Sequence, residues 1–96
     1  PVRVFECSGY GDTNALFGAL EWIATQPVGV VNLSLSVTTG NFAPLDAAVT
    51  ELVNAGYVVV VAAGNNNGLN ACNYSPGSAS AALTVGATNS YDQRAS

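Results

Sequence analysis

Asn65 is the first asparagine in the run Val58-Val59-Val60-Val61-Ala62-Ala63-Gly64-Asn65-Asn66-Asn67, an apolar segment that breaks abruptly into glycine and three asparagines. Four consecutive valines disfavour helix, because β-branched side chains lose rotamer freedom against a helical turn, and they suit a strand buried on both faces of a parallel sheet. Ligands of open α/β sheets bind at the carboxyl ends of such strands. A neutral amide N–H held there stabilises a developing oxyanion without itself gaining or losing a proton. The same letters also fit a plain turn, since Asn tolerates left-handed backbone and Asn67-Gly68 is a common turn pair. From these residues alone both readings stand.

Other reactive side chains are sparse. The chain has no histidine, so no Ser-His-Asp or Cys-His site can be assembled within it. Of the acids Glu6, Asp12, Glu21, Asp46, Glu51 and Asp92, three (Glu21, Asp46 and Glu51) fall opposite the apolar stripes of predicted helices and read as solvated helix faces. No Cys, His or carboxylate spacing suggests zinc. Gly9-Tyr10-Gly11 follows an apolar stretch in the manner of a dinucleotide fingerprint. The third glycine is replaced by Asn14, however, and Leu33-Ser34-Leu35-Ser36 stands where an acidic residue would be wanted, so a nucleotide site is weakly supported.

Composition sets the frame for these residues. With 49% hydrophobic residues in 96, the chain is core-rich and sized for one small domain. Only 8% of residues are charged, so much of the surface is either covered by something else or solubilised by Ser, Thr and Asn. A net charge of -4, with Arg3 and Arg94 as the only cations, leaves no patch for phosphates and argues against nucleic acid. No apolar run approaches bilayer length, and the first residues lack a signal-peptide pattern. Opening on Pro1-Val2-Arg3-Val4 and stopping after Arg94-Ala95-Ser96, the chain reads as trimmed at both ends.

The elements that must hold the site alternate in period. Val2 to Cys7 is predicted as a strand, and Ser8 to Asp12 as a turn. Leu16, Ala19, Leu20 and Ile23 then repeat at helical spacing. Val28 to Leu35 is a second predicted strand. Pro44 opens a helix with Leu45, Ala48, Val49, Leu52 and Val53 on one face and Gly56 as its stop. Tyr57 to Ala63 and Leu83 to Ala87 complete the strands. Strand and helix alternating through short links imply right-handed crossovers and a parallel, helix-flanked α/β sheet.

Three groups of residues, in this order and spacing, resemble the middle of a subtilisin-like serine protease of the proteinase K branch. They are Val30-Val31-Asn32-Leu33-Ser34-Leu35, Gly56 through Asn66, and Asn73-Tyr74-Ser75-Pro76 with Leu83-Thr84-Val85-Gly86-Ala87-Thr88. The likeness spans essentially the whole chain. It implies that residues 1–96 are a central part of one catalytic domain with a three-layer fold, lying between the catalytic histidine and serine motifs. All three triad members would then lie outside. It implies that Asn65 is the oxyanion-hole side chain and that the parent is a secreted endopeptidase acting on extended peptides. Ser8-Gly9-Tyr10-Gly11 and Ser34-Leu35-Ser36 match the two segments that hold substrate as an added strand, a mode in which backbone bonds give affinity and pockets give selectivity. Ala63, Gly64 and Tyr74 would line the pocket for the residue before the cut. Ser36 departs from the family's usual glycine, so typical substrate preferences do not transfer. The resemblance also implies a structural calcium held partly by the backbone carbonyls of Ser80 and Ala82, with a carboxylate from later in the chain.

Cys7 ends the first predicted strand and Cys72 follows the third. In a sheet ordered one-two-three they stand about 10 Å apart, beyond the roughly 7 Å between Cα atoms that a disulfide tolerates. In relatives each pairs outside this segment, which fits an oxidised, secreted parent. Alone, the 96 residues are expected neither to hydrolyse peptides nor to fold stably, with the run Val58 to Val61 left on an open edge. Two other readings stay open: a non-catalytic α/β module that binds a ligand or partner at its strand ends, and a protease-like pseudoenzyme.

Overall fold

The computed structural model describes residues 1–95. Helix α1 (Thr13–Ala24) starts where the Asp12 side chain accepts the Asn14 N–H at 2.8 Å, which satisfies one of the free donors of the first turn. Leu16, Ala19 and Leu20 are its buried stripe. Helix α2 (Ala43–Asn54) buries Leu45, Val49 and Leu52 and ends ahead of Gly56, whose φ of +99° is a left-handed stop suited to glycine. Its N-cap Phe42 makes no side-chain capping bond. That end of the helix is secured from elsewhere.

Three strands, β1 (Val30–Leu33), β2 (Val58–Ala62) and β3 (Leu83–Val85), form a parallel sheet in the order β1-β2-β3. The register pairs Val31 with Val59 and Leu33 with Val61, so these four share a face, and all are buried. They pack with Leu16, Leu20, Leu45, Val49, Leu52 and Tyr57 into one core. The opposite face carries Val30 beside Val58 and Leu83 beside Val60, with Val85 beside Ala62. Val30, Val58, Leu83 and Val85 there are exposed. The parallel α/β sheet with flanking helices is thus as the sequence implied, and the described residues form two layers, the helices and the sheet.

Three expectations change. Val2 to Cys7 is not a strand. Its one pairing is an isolated antiparallel bridge between Phe5 and Gly11, closed by Glu6 N–H donating to the Tyr10 carbonyl at 2.9 Å, so the segment folds back on its own turn. The strand-spacing argument for Cys7 and Cys72 therefore lapses; both are free, exposed thiols. Second, Val58 to Val61 is not on an edge, because β3 pairs with β2 on the side away from β1. Third, Asp46 is not on a solvated face. It is half-buried, and its Oδ2 accepts from the Ser78 hydroxyl at 2.6 Å. Glu21 and Glu51 are exposed as expected.

Candidate active site

Strand β2 delivers its C-terminal residues to a turn rather than to a further strand. Ala63 is still tied to the sheet, its N–H donating to the Val85 carbonyl at 2.9 Å. Gly64 follows with φ +91°, a left-handed conformation that side chains disfavour, and so turns the chain sharply just before Asn65. Asn66 folds its amide back over Gly64, within 3.5 Å of where a Cβ would stand. Asn67 and Gly68 also take positive φ, so the turn reading of this stretch is correct as local structure. It does not compete with the chemical one. The turn leaves Asn65 exposed at the end of the central strand.

The segment carrying Tyr74 packs against that strand end. A Cβ on Gly77 would stand 3.0 Å from the Ala62 carbonyl oxygen and 3.2 Å from that of Tyr74. Thr84 Oγ1 donates to the Gly77 carbonyl at 3.0 Å, which fastens the same segment to β3. Tyr74, Ala63 and Gly64, all half-buried, are thereby gathered at one end of the sheet.

A cleft of about 520 Å³ opens between two other segments. Gly9, Tyr10 and Gly11 line one wall and Leu35 and Ser36 line the other, with Phe5, Leu16 and Phe42 among the apolar residues at its base. Tyr10 is 75% exposed, so its ring is available to a bound chain. Ser34 stays outside this cleft. It is exposed, and its hydroxyl accepts from the Asn32 amide at 2.9 Å. The two segments singled out by sequence thus face one another, while Asn65, Ala63, Gly64 and Tyr74 form a separate group at the β2 end.

Ser80 is exposed and Ala82 half-buried on the turn entering β3, where the Ala82 N–H donates to the Ala79 carbonyl at 3.0 Å. Among the described residues no three His, Cys, Asp or Glu are grouped to hold a metal. Sequence reasoning missed Ser75, Ser78 and Gly77. Ser75 is fully buried and bonded to residues more than thirty positions away. No local pattern signals such a role.

A match to the subtilase family, peptidase S8, covers residues 1–96. The chain belongs to the subtilases. This subtilase is 46% identical over 96 residues to an extracellular serine proteinase of Thermus sp. (strain Rt41A), covering 100% of this chain and 23% of that protein. It is 40% identical to alkaline serine exoprotease A of Vibrio alginolyticus over 99% of this chain and 18% of that one. With proteinase R of Parengyodontium album it shares 39% identity over 99% of this chain and 26% of that protein. A crystal structure of a cold-adapted subtilisin-like serine proteinase superposes with a TM-score of 0.88 at 39% identity, over 97% of this chain and 34% of that one. The subtilase chain therefore spans between 18% and 26% of the length of these curated relatives. Among its described residues no helix is long and apolar enough to cross a membrane.

Proposed function

We propose that this chain is the central part of a secreted serine endopeptidase, supplying the oxyanion-hole amide and the walls that hold the peptide. The observation that carries the reading is the cleft between Tyr10-Gly11 and Leu35-Ser36 in a chain of subtilase sequence. An extended peptide laid there pairs its backbone with both walls, so affinity comes from main-chain bonds common to any sequence. Gly9 and Gly11 add no side chain to one wall, which leaves the Tyr10 ring as its side-chain contact. Leu35 and Ser36 form the other, with Ser34 at its outer end, and the Ser36 side chain projects where a glycine would leave the edge bare. Selectivity for the residue before the cut falls to Ala63, Gly64 and Tyr74 at the β2 end.

Asn65 donates its side-chain N–H to the carbonyl oxygen as that atom becomes tetrahedral and negative. Asn65 follows the end of β2 on the turn that Gly64 makes, and a donor in place as the charge develops favours the transition state over the ground state. The serine nucleophile, its histidine base and the aspartate that orients the base come from residues beyond these 96. Oxygen donors suit calcium, and the carbonyls of Ser80 and Ala82 would serve as two of its ligands with a carboxylate from the remainder of the domain. Calcium would cross-link that remainder to the turn entering β3. The Thermus relative is an extracellular serine proteinase, which supports an extracellular location.

In the full-length protein, Asn65→Ala is expected to lower kcat on a peptide substrate by about 10²–10³ while KM changes little. That magnitude is the one known for loss of such a donor in a subtilisin and is carried over from it. An unchanged kcat removes Asn65 from the site. A wild-type protein that cleaves no peptide overturns the endopeptidase reading itself.

A further inference from the structure

Ser75 closes three hydrogen bonds on one loop. Its N–H donates to the Gly40 carbonyl at 3.2 Å, its own carbonyl accepts the Val37 N–H at 3.0 Å, and its Oγ accepts the Phe42 N–H at 2.7 Å. Val37 directly follows Leu35 and Ser36, so this buried serine clamps the far end of one cleft wall. It also supplies the missing constraint at the start of α2, where Phe42 has no capping side chain.

The clamp continues inward to a carboxylate. Ser75 Oγ lies 3.2 Å from Ser78 Oγ, and the Ser78 hydroxyl donates to Asp46 Oδ2 at 2.6 Å. A carboxylate oxygen only accepts, so the single Ser78 proton is committed to Asp46, and the proton between the two serines belongs to Ser75. The chain of bonds therefore runs one way, from Phe42 N–H through Ser75 and Ser78 to Asp46. Bonds to an ionised acceptor are stronger than neutral ones, and linked bonds polarise one another. The other oxygen, Asp46 Oδ1, is buried without a hydrogen-bond partner among the described residues. Favourable placement in the first turn of α2 would explain an acid at Asp46, but not the aligned serines that join it to the cleft wall.

We propose that Asp46, acting through Ser78 and Ser75, is a positioning residue that sets the Leu35-Ser36 wall against the bound peptide. Asp46 touches no substrate. The inference rests on the reading that this wall binds substrate, and the test separates the two. In the full-length protein, Asp46→Ala and Ser78→Ala are compared with wild type on a long peptide that fills the cleft and on a short amide that does not reach it. KM for the long peptide is expected to rise about three- to tenfold with kcat within about twofold, and the short substrate to be unaffected, because only uniform binding is lost. Asp46→Asn restores KM, since its amide oxygen still accepts from Ser78. Amide exchange at Val37 and Phe42 quickens in Asp46→Ala.

An unchanged KM for the long peptide overturns the proposal, as does an equal shift for both substrates or an Asn variant that behaves as the Ala one. A lowered thermal midpoint with unchanged KM assigns Asp46 a merely structural role and also overturns it. If Asp46→Ala does not fold, Ser78→Ala carries the same comparison. If wild type cleaves nothing, the endopeptidase reading has failed and exchange decides: faster exchange upholds the relay, and unchanged exchange at Val37 and Phe42 overturns it.

Discussion

Gly77→Ala tests whether the site depends on how closely the Tyr74 segment sits on the end of β2. The three atoms nearest the added Cβ are backbone oxygens, those of Ala62 at 3.0 Å, Tyr74 at 3.2 Å and Ala71 at 3.5 Å, which have no side-chain freedom to move aside. Ordinary contact begins at 3.4 Å, so the Tyr74 segment and β2 must part by about 0.4 Å. Overpacking of this kind costs about 1–3 kcal/mol. Since a misplacement of about 1 Å at a site can cost about 10²-fold, a proportionate loss for 0.4 Å is roughly sixfold in kcat/KM. Gly18→Ala is the matched control. It lies on the exposed side of α1 with nothing within 4 Å of its Cβ position, and is expected to stabilise by about 0.5–1 kcal/mol with activity unaltered. Thermal unfolding and steady-state kinetics on a peptide substrate, both on the full-length protein, read the two variants. A Gly77→Ala protein with wild-type stability and kcat/KM would refute the claim that this approach positions the site.

Tyr57→Phe in the full-length protein should lower stability by about 1–1.5 kcal/mol, read by denaturant unfolding, because the buried Tyr57 hydroxyl spans the Ile23 and Gln26 carbonyls at 2.8 and 2.5 Å. Its kinetic constants should not move. Peptide mapping of the full-length protein without reduction should recover no peptide linking Cys7 to Cys72. The 96 residues expressed alone should associate, because the described residues leave bare the sheet face carrying Val30 at 73% and Leu83 at 60% exposure. Size-exclusion chromatography with circular dichroism decides, and a soluble monomer with a cooperative thermal transition would count against it.

What the sequence disclosed was local. The stripe Leu16, Ala19, Leu20 and the stripe Leu45, Val49, Leu52 are written in the 3.6-residue period, and both are buried as that period requires. The strand of valines announced itself by side-chain shape. Its place in the sheet did not, because that depends on β3, more than twenty residues on, pairing with it. Residues 2–7 have strand composition, yet the nearer partner was their own turn at Glu6 to Tyr10. Asp46 falls opposite the apolar stripe by helical arithmetic and is half-buried anyway, because the 74–79 segment lies over the start of α2. The cleft walls were legible only through the family resemblance. Taken alone, Gly9-Tyr10-Gly11 reads as a turn, and nothing in its letters points across to Leu35 and Ser36.

The valine run also says something about the face the described residues leave bare. A strand covered on one side alternates apolar and polar residues, because alternate side chains point to opposite faces. Val58 to Val61 does not alternate. Val59 and Val61 face the helices and are buried, while Val58 points the other way at 53% exposure with Val30 beside it. Across the same face stand Leu83 and Val85 of β3, apolar again. Solvent gives no reason for this composition, whereas a second layer packed on the sheet does. The three-layer fold is what the family resemblance implies, and the pattern of side chains along β2 supports it independently.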